Sequence, residues 1–179
     1  MQYLTDIGFV LKRTNFGESD RYITIFTKHH GKIEVVARGV RKITSRRASH
    51  IEMINLIEFQ SIQGRKNYIL TEATLVSSYG ALKKDLKCIE KVFLLCELIN
   101  LLCPERVAHT EVFSLLERLL HKIETQGLSS VSFLEFQQDL LMLLGFWDGK
   151  EQFANDTQMR FFIENIVERK LKSKAFIKA

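Results

Sequence analysis

The sequence predicts an α+β chain, an all-β barrel followed by an all-α helical bundle, and three observations carry that prediction. Apolar residues recur with a period of two in the first part of the chain and with a period near 3.6 in the second. The first part is cut into short runs by turn residues, whereas the second is interrupted only at Pro104, Gly127 and a polar stretch before Asp156. The change falls near Tyr79, so the expected domains are 1–78 and 79–179. With 179 residues, 46% hydrophobic and 26% charged, the chain has the composition of a globular protein and enough length to bury its core without staples.

Five runs read as strands. The first covers 7–13, where Ile7, Phe9 and Leu11 alternate with other positions and define one face. The second, 21–27, is joined to the third, 32–40, by a turn at His30-Gly31. A basic connection leads to the fourth, 52–62, and a turn at Gln63-Gly64-Arg65-Lys66-Asn67 leads to the fifth, 68–76. Five short strands with little helix between them suit a closed barrel such as an OB-fold better than an open sheet with two exposed edges.

The helices follow. Cys88, Val92, Leu95, Cys96, Ile99 and Cys103 form one stripe, stopped by Pro104. A second helix spans 110–124, with Phe113, Leu116, Leu120 and Ile123 inward and Gly127 as its stop. The third has Ser132 and Glu135 at capping-box spacing and an apolar face of Phe133, Phe136, Leu140, Leu143 and Leu144. The fourth starts after Asn155 or Asp156 and carries Met159, Phe162, Ile163 and Ile166. No flexible linker separates bundle from barrel, so the two are expected to pack together.

Several classes of chemistry find no support. The three cysteines sit eight and seven residues apart, a helical core spacing with no Cys-x-x-Cys pair, and no zinc is expected. His29 and His30 share a turn, while His50, His109 and His121 lie scattered, so neither a triad nor a ligand set emerges. Glu18 and Asp20 read as a solvated or Arg21-paired turn. Phosphate-cradling glycine loops are absent. A non-enzymatic chain without cofactor is expected, and without a leader or a long apolar run it is expected in the cytoplasm, away from membranes.

Charge is the informative feature. The net +5 divides into +5 over 1–78, −5 over 79–168 and +5 over 169–179, an asymmetry that suits a polyanion met by the first part and the tail. Arg38, Arg41, Lys42, Arg46 and Arg47 fall within ten residues that hold no acid, on the connection between two strands. Clustered arginines on a barrel loop suit bidentate phosphate contacts, and Lys12, Arg13, Arg21 and Lys32 extend the patch if they face the same groove. Tyr22, Phe59 and Tyr68 read as barrel core, with a stacking platform as the alternative. The second cluster, Arg169 to Lys174 with Lys178, has two readings of equal weight, a helix-end cation set or a binding element.

These residues resemble the RecO family of recombination mediators. The match runs through Leu11-Lys12-Arg13, Gly17-Glu18-Ser19-Asp20-Arg21, Phe26-Thr27, His30-Gly31-Lys32, Val36 to Arg41, and Leu70-Thr71-Glu72-Ala73. In the helical part it takes in Phe133 to Phe136, Leu140-Leu141 and Leu144-Gly145-Phe146, and it ends at Leu171-Lys172-Ser173-Lys174. The resemblance implies an OB-fold that binds single-stranded and duplex DNA, anneals complementary strands and, with RecR, helps RecA displace single-strand-binding protein. It also implies a nucleoid-associated chain whose helical domain captures the acidic, Phe-ending tail of that binding protein. The expected cations for the tail are Arg169, Lys170, Lys172 and Lys122. One departure is visible: the connection after Phe146 is short and holds no cysteine, where many members carry a longer insert with a zinc site. The rival expectation is an OB-fold adaptor for RNA or a protein partner.

Overall fold

The computed structural model describes residues 3–173, and the part of the basic tail from Lys174 onward lies outside the described residues. The chain divides into two compact units, Met1–Ser78 with Pro104–Thr110, and Tyr79–Cys103 with Glu111–Ala179.

The first unit is a closed five-stranded barrel: β1 (Tyr3–Phe16), β2 (Asp20–Thr27), β3 (Gly31–Ala37), β4 (Leu56–Gln63) and β5 (Tyr68–Ser77). The strands neighbour one another in the order β1-β2-β3-β5-β4, and β4 closes back on β1. All pairs are antiparallel except β3 with β5, the OB-type Greek key.

Closure depends on β1. It runs longer than 7–13 because its first half pairs with β4 and its second half with β2, and a register shift between Val10 and Lys12 bends it between the two. Gly8 sits at the crossing, paired on both sides. A Cβ there would lie 2.4 Å from the Ile25 side chain and 3.0 Å from the Phe26 carbonyl, so only glycine allows the approach. The interior holds Leu4, Val10, Ile23, Ile25, Ile33, Val35, Ile57, Phe59 and Leu70. Phe9 and Leu11 are buried but outside that cluster, so the inward face of β1 is the even set. Both faces of β1 are apolar there, and alternation alone does not say which is inside.

Two strand ends also differ from the sequence expectation. β3 stops at Ala37 and not at residue 40 because Gly39 takes a φ of 64° and donates its N–H to the Asp20 carboxylate at 2.8 Å. β4 begins at Leu56 and not at residue 52, since Ile54 holds a φ of 75° and donates to the Val10 carbonyl at 2.8 Å while Val10 donates to the Asn55 carbonyl at 3.0 Å. Left-handed backbone in a β-branched residue is strained and persists only where neighbours fix it. The long connection between these points is anchored by Val40 and Ile51, both fully buried in the barrel core.

The β2–β3 turn is tied down by Asp6. This buried carboxylate accepts from the His29 backbone N–H at 3.0 Å and meets Nδ1 of His29 at 2.8 Å and of His30 at 2.7 Å. Burial pushes the carboxyl pKa up, but the bonds from His30, His29 and two backbone amides together outweigh it and hold the group below its ordinary value.

Among the described residues the second unit has four α-helices, α1 (Leu86–Leu102), α2 (Thr110–Gln126), α3 (Phe133–Leu143) and α4 (Asp156–Val167). The cysteines are free and buried on α1 and at its end, and burial raises the Cys96 thiol to about 12. Leu94, Leu98 and Leu102 are buried beside the expected stripe, so α1 is covered over more than one face. Ser132 caps α3 by accepting the Glu135 N–H at 3.2 Å, and Asn155 caps α4 through Gln158 at 3.0 Å. Leu143 is exposed, and Leu141 takes the inward place expected of it, because the helix ends at that turn. Trp147, Phe153 and Phe162 pack ring against ring at a tilt, with 5.6 and 5.1 Å between successive centroids. No helix among the described residues is long and apolar enough to cross a membrane.

Candidate nucleic-acid interface

The barrel carries a groove of about 1080 Å³. Its walls come from β2 and β3 and from the β4–β5 turn, the surface on which OB-folds take oligonucleotides. Arg38 lines one side, at the start of the basic connection, and Arg65 and Lys66 line the other, in the turn. All three are exposed. On the floor, Phe16 and Tyr22 pair with ring centroids 4.6 Å apart, and the Phe16 ring is 48% exposed.

Asp20 is the acid of this groove, and its charge is engaged. The Gly39 N–H bond is the main reason its carboxyl titrates below the ordinary value, with the Ser19 hydroxyl and the charges of Arg38 and Lys42 adding to it. The carboxylate thus fixes the root of the basic connection.

The connection divides its arginines into two kinds. Arg47 is turned inward: Nη1 donates to the carbonyls of Leu70 at 3.0 Å and Thr71 at 3.1 Å, and Nη2 donates to the Arg38 carbonyl at 3.1 Å. Its planar fork staples the connection to β5. Arg41 is exposed, with one guanidinium nitrogen on the Gly17 carbonyl at 2.9 Å. Lys42 and Arg46 are exposed, and no ion pair among the described residues involves Arg38, Arg41, Lys42 or Arg46.

The outlying members of the expected patch are placed elsewhere. Arg13 is paired with Glu52, and Arg21 donates to Asn15 at 3.2 Å and lies 3.9 Å from the same Glu52. Lys32 is buried, 8% exposed. Glu52 is distant in sequence from both arginines, and nothing in their local pattern announces the pairing. Of the aromatics, Phe59 is core, Tyr68 lies under Arg106 at 5.8 Å, and Tyr22 borders the groove. Arg65, Lys66 and Phe16 line the groove without standing out in the sequence pattern. The signal for the basic pair is its place in the fourth turn of a five-stranded barrel.

In the helical unit, Lys170 Nζ donates to Glu164 at 2.7 Å, and the Lys172 backbone N–H donates to Glu97 at 2.8 Å. Arg169, Lys122 and the Lys172 side chain are exposed. A smaller pocket of about 250 Å³ lies between α2 and α3, lined by Leu115, Arg118, Asp139, Met142 and Leu143. Arg118 was not among the expected cations.

Comparison with known proteins gives two family models, described as Recombination protein O N terminal over residues 1–79 and Recombination protein O C terminal over residues 91–147. The DNA repair protein RecO of Symbiobacterium thermophilum is 31% identical over 78% of this chain and 55% of its own length. That of Myxococcus xanthus is 29% identical over 81% and 60%, and that of Bifidobacterium longum 35% over 62% and 45%. The chain thus spans about half of the length of the curated relatives it matches. A chain of the S. pombe Stn1-ten1 complex overlays at a TM-score of 0.34 with 13% identity, covering 54% of this chain and 76% of that one, too loosely to bear on function.

Proposed function

The chain belongs to the RecO family, and we propose that it serves DNA repair by binding single-stranded DNA along the barrel groove, with no covalent chemistry of its own. One observation carries this reading: cations from two separate loops, Arg38 on one and Arg65 with Lys66 on the other, line a single groove together with the exposed Phe16 and the half-buried Tyr22. Phosphates need clustered positive charge on a rigid support, and bases need a flat apolar surface to stack on; the groove offers both.

Binding here is counterion release plus stacking. Two strands held on one basic surface meet at raised effective concentration, which is how such a chain speeds annealing. Duplex DNA meets the same cations through its phosphates. The family resemblance supports the wider role, in which the chain acts with RecR to load RecA onto DNA coated with single-strand-binding protein. For the acidic tail of that protein, the α2–α3 pocket supplies apolar walls and the Arg118 cation, which shares the pocket with Asp139.

The test is salt titration of single-strand binding. With about five phosphates neutralised, log affinity falls against log salt with a slope near −3.5. Changing Arg38, Arg65 and Lys66 together to Glu abolishes binding at physiological salt while the barrel still unfolds cooperatively. Unchanged affinity in that variant removes the proposal.

A further inference from the structure

The basic connection carries one side chain for which the groove has no use. Ile43 is fully exposed, at 105%, between Arg41 and Lys42 on one side and Arg46 on the other, all of them exposed. A single apolar residue at a surface is ordinary and by itself means little. Three features set this one apart.

The first is rigidity beneath it. The Arg41 N–H donates to the Ser19 carbonyl at 2.9 Å, Lys42 N–H to Gly39 at 3.2 Å and Ser45 N–H to Lys42 at 2.9 Å, so successive turns lift residue 43 to an apex. Behind them Arg47 grips β5, and Val40 plugs the barrel core. The side chain at the apex is β-branched and stiff. The second feature is charge: from Gly39 to Ile51 the connection holds cations and no acid. The third is continuity, since Arg38, at the start of the same connection, lines the groove.

We propose that Ile43 is a wedge that enters between stacked bases of bound DNA and unstacks them while Arg41, Lys42 and Arg46 hold the flanking phosphates. This rests on the groove as a DNA site and adds a second way of gripping the strand. Aliphatic wedges open base steps in other DNA-bending proteins because burial of the wedge and the phosphate contacts offset the lost stacking. Anionic bilayers and acid-rimmed protein pockets also suit an apolar tip ringed by cations. Continuity with the groove favours bases.

The experiment uses the full chain with single-stranded and duplex oligonucleotides carrying 2-aminopurine, whose emission is quenched by stacking. Wild type raises the emission on binding. Ile43→Ala binds with an unchanged salt slope, because the slope counts phosphates, but it loses the rise in emission and about tenfold in affinity, the effect of removing buried aliphatic carbon. Ile43→Leu keeps both. A wild type that binds without raising emission, or an Ile43→Ala that raises it equally, overturns the wedge. So does a loss confined to flotation with anionic vesicles. Failure of the groove itself looks different, because wild type then binds no strand at all.

Discussion

The basic connection on the barrel and the basic segment after α4 look alike in sequence, and the two differ in what engages their cations. In the segment, acids from the same unit hold the Lys170 amine and the backbone, while the Arg169 and Lys172 side chains stay exposed. Glu164 accepts from Lys170 Nζ and from the Leu171 N–H, and Glu97 accepts the backbone N–H groups of Lys172 and Ser173. Arg160, 2.9 Å from Glu164, donates to the carbonyls of Leu171 and Ser173. Leu171, 5% exposed, completes the anchor. In the connection, Asp20 and Arg47 hold the backbone, and Arg38, Arg41, Lys42 and Arg46 stay exposed. Charge density says how much potential a segment carries; its neighbours decide whether that potential reaches a ligand.

The widest gap between the two regions is expected in DNA affinity. Changing Arg41, Lys42 and Arg46 to Glu lowers single-strand affinity at least about a hundredfold near physiological salt and flattens the salt slope by about 2. Lys170→Glu changes affinity less than about threefold, because that amine sits on Glu164. Anisotropy titrations at several salt concentrations read both. Equal losses would erase the distinction.

Stability separates the arginines within the connection. Arg47→Ala strands three carbonyls and costs about 3 kcal/mol, whereas Arg46→Ala costs less than about 0.5 kcal/mol. Arg47→Lys does not restore the loss, since all three donors of an ammonium radiate from one nitrogen and cannot reach carbonyls that the arginine meets from two separate nitrogens. Denaturant midpoints check this.

A smaller effect is expected at the tail clamp. Arg160→Ala removes two bonds to carbonyls and one to Glu164, costs about 2 kcal/mol, and frees the segment around residues 169–173 to trypsin. Cleavage there without global unfolding is the readout.

The smallest effect is a pH dependence. The Lys170 amine, followed by the Leu171 N–H, lowers the Glu164 carboxyl from 4.5 to about 2. A depressed carboxyl stabilises the fold fully above its unfolded value, and that contribution fades as pH drops from 4.5 toward 2. Glu164→Gln is therefore less stable than wild type at neutral pH, and its thermal midpoint falls less steeply through the acid range.

How far the sequence could be read depends on the range of the interaction. Helix starts at Ser132 and Asn155 and the stops at Pro104 and Gly127 were legible because caps and breakers act within one turn of chain. The start of β4 was not, since the φ of Ile54 answers to Val10, which lies on another strand. Of the expected phosphate ligands, Arg38, Arg41, Lys42 and Arg46 are exposed as the acid-free run suggests, while Arg13 and Arg21 meet Glu52 and Lys32 is buried. Arg65 and Lys66 join the groove only because β4 and β5 pair beside β1 and β3.

By itself the sequence determined that five strands precede four helices, that a long acid-free arginine run joins two of the strands, and that the family motifs occur in order. These follow from local periodicity, turn chemistry and composition. Only the tertiary structure decided which cations remain available, which aromatic pair lines the groove and where the groove opens. A charge is available only if no acid pairs with it, and barrel closure sets those distances between residues far apart in the chain.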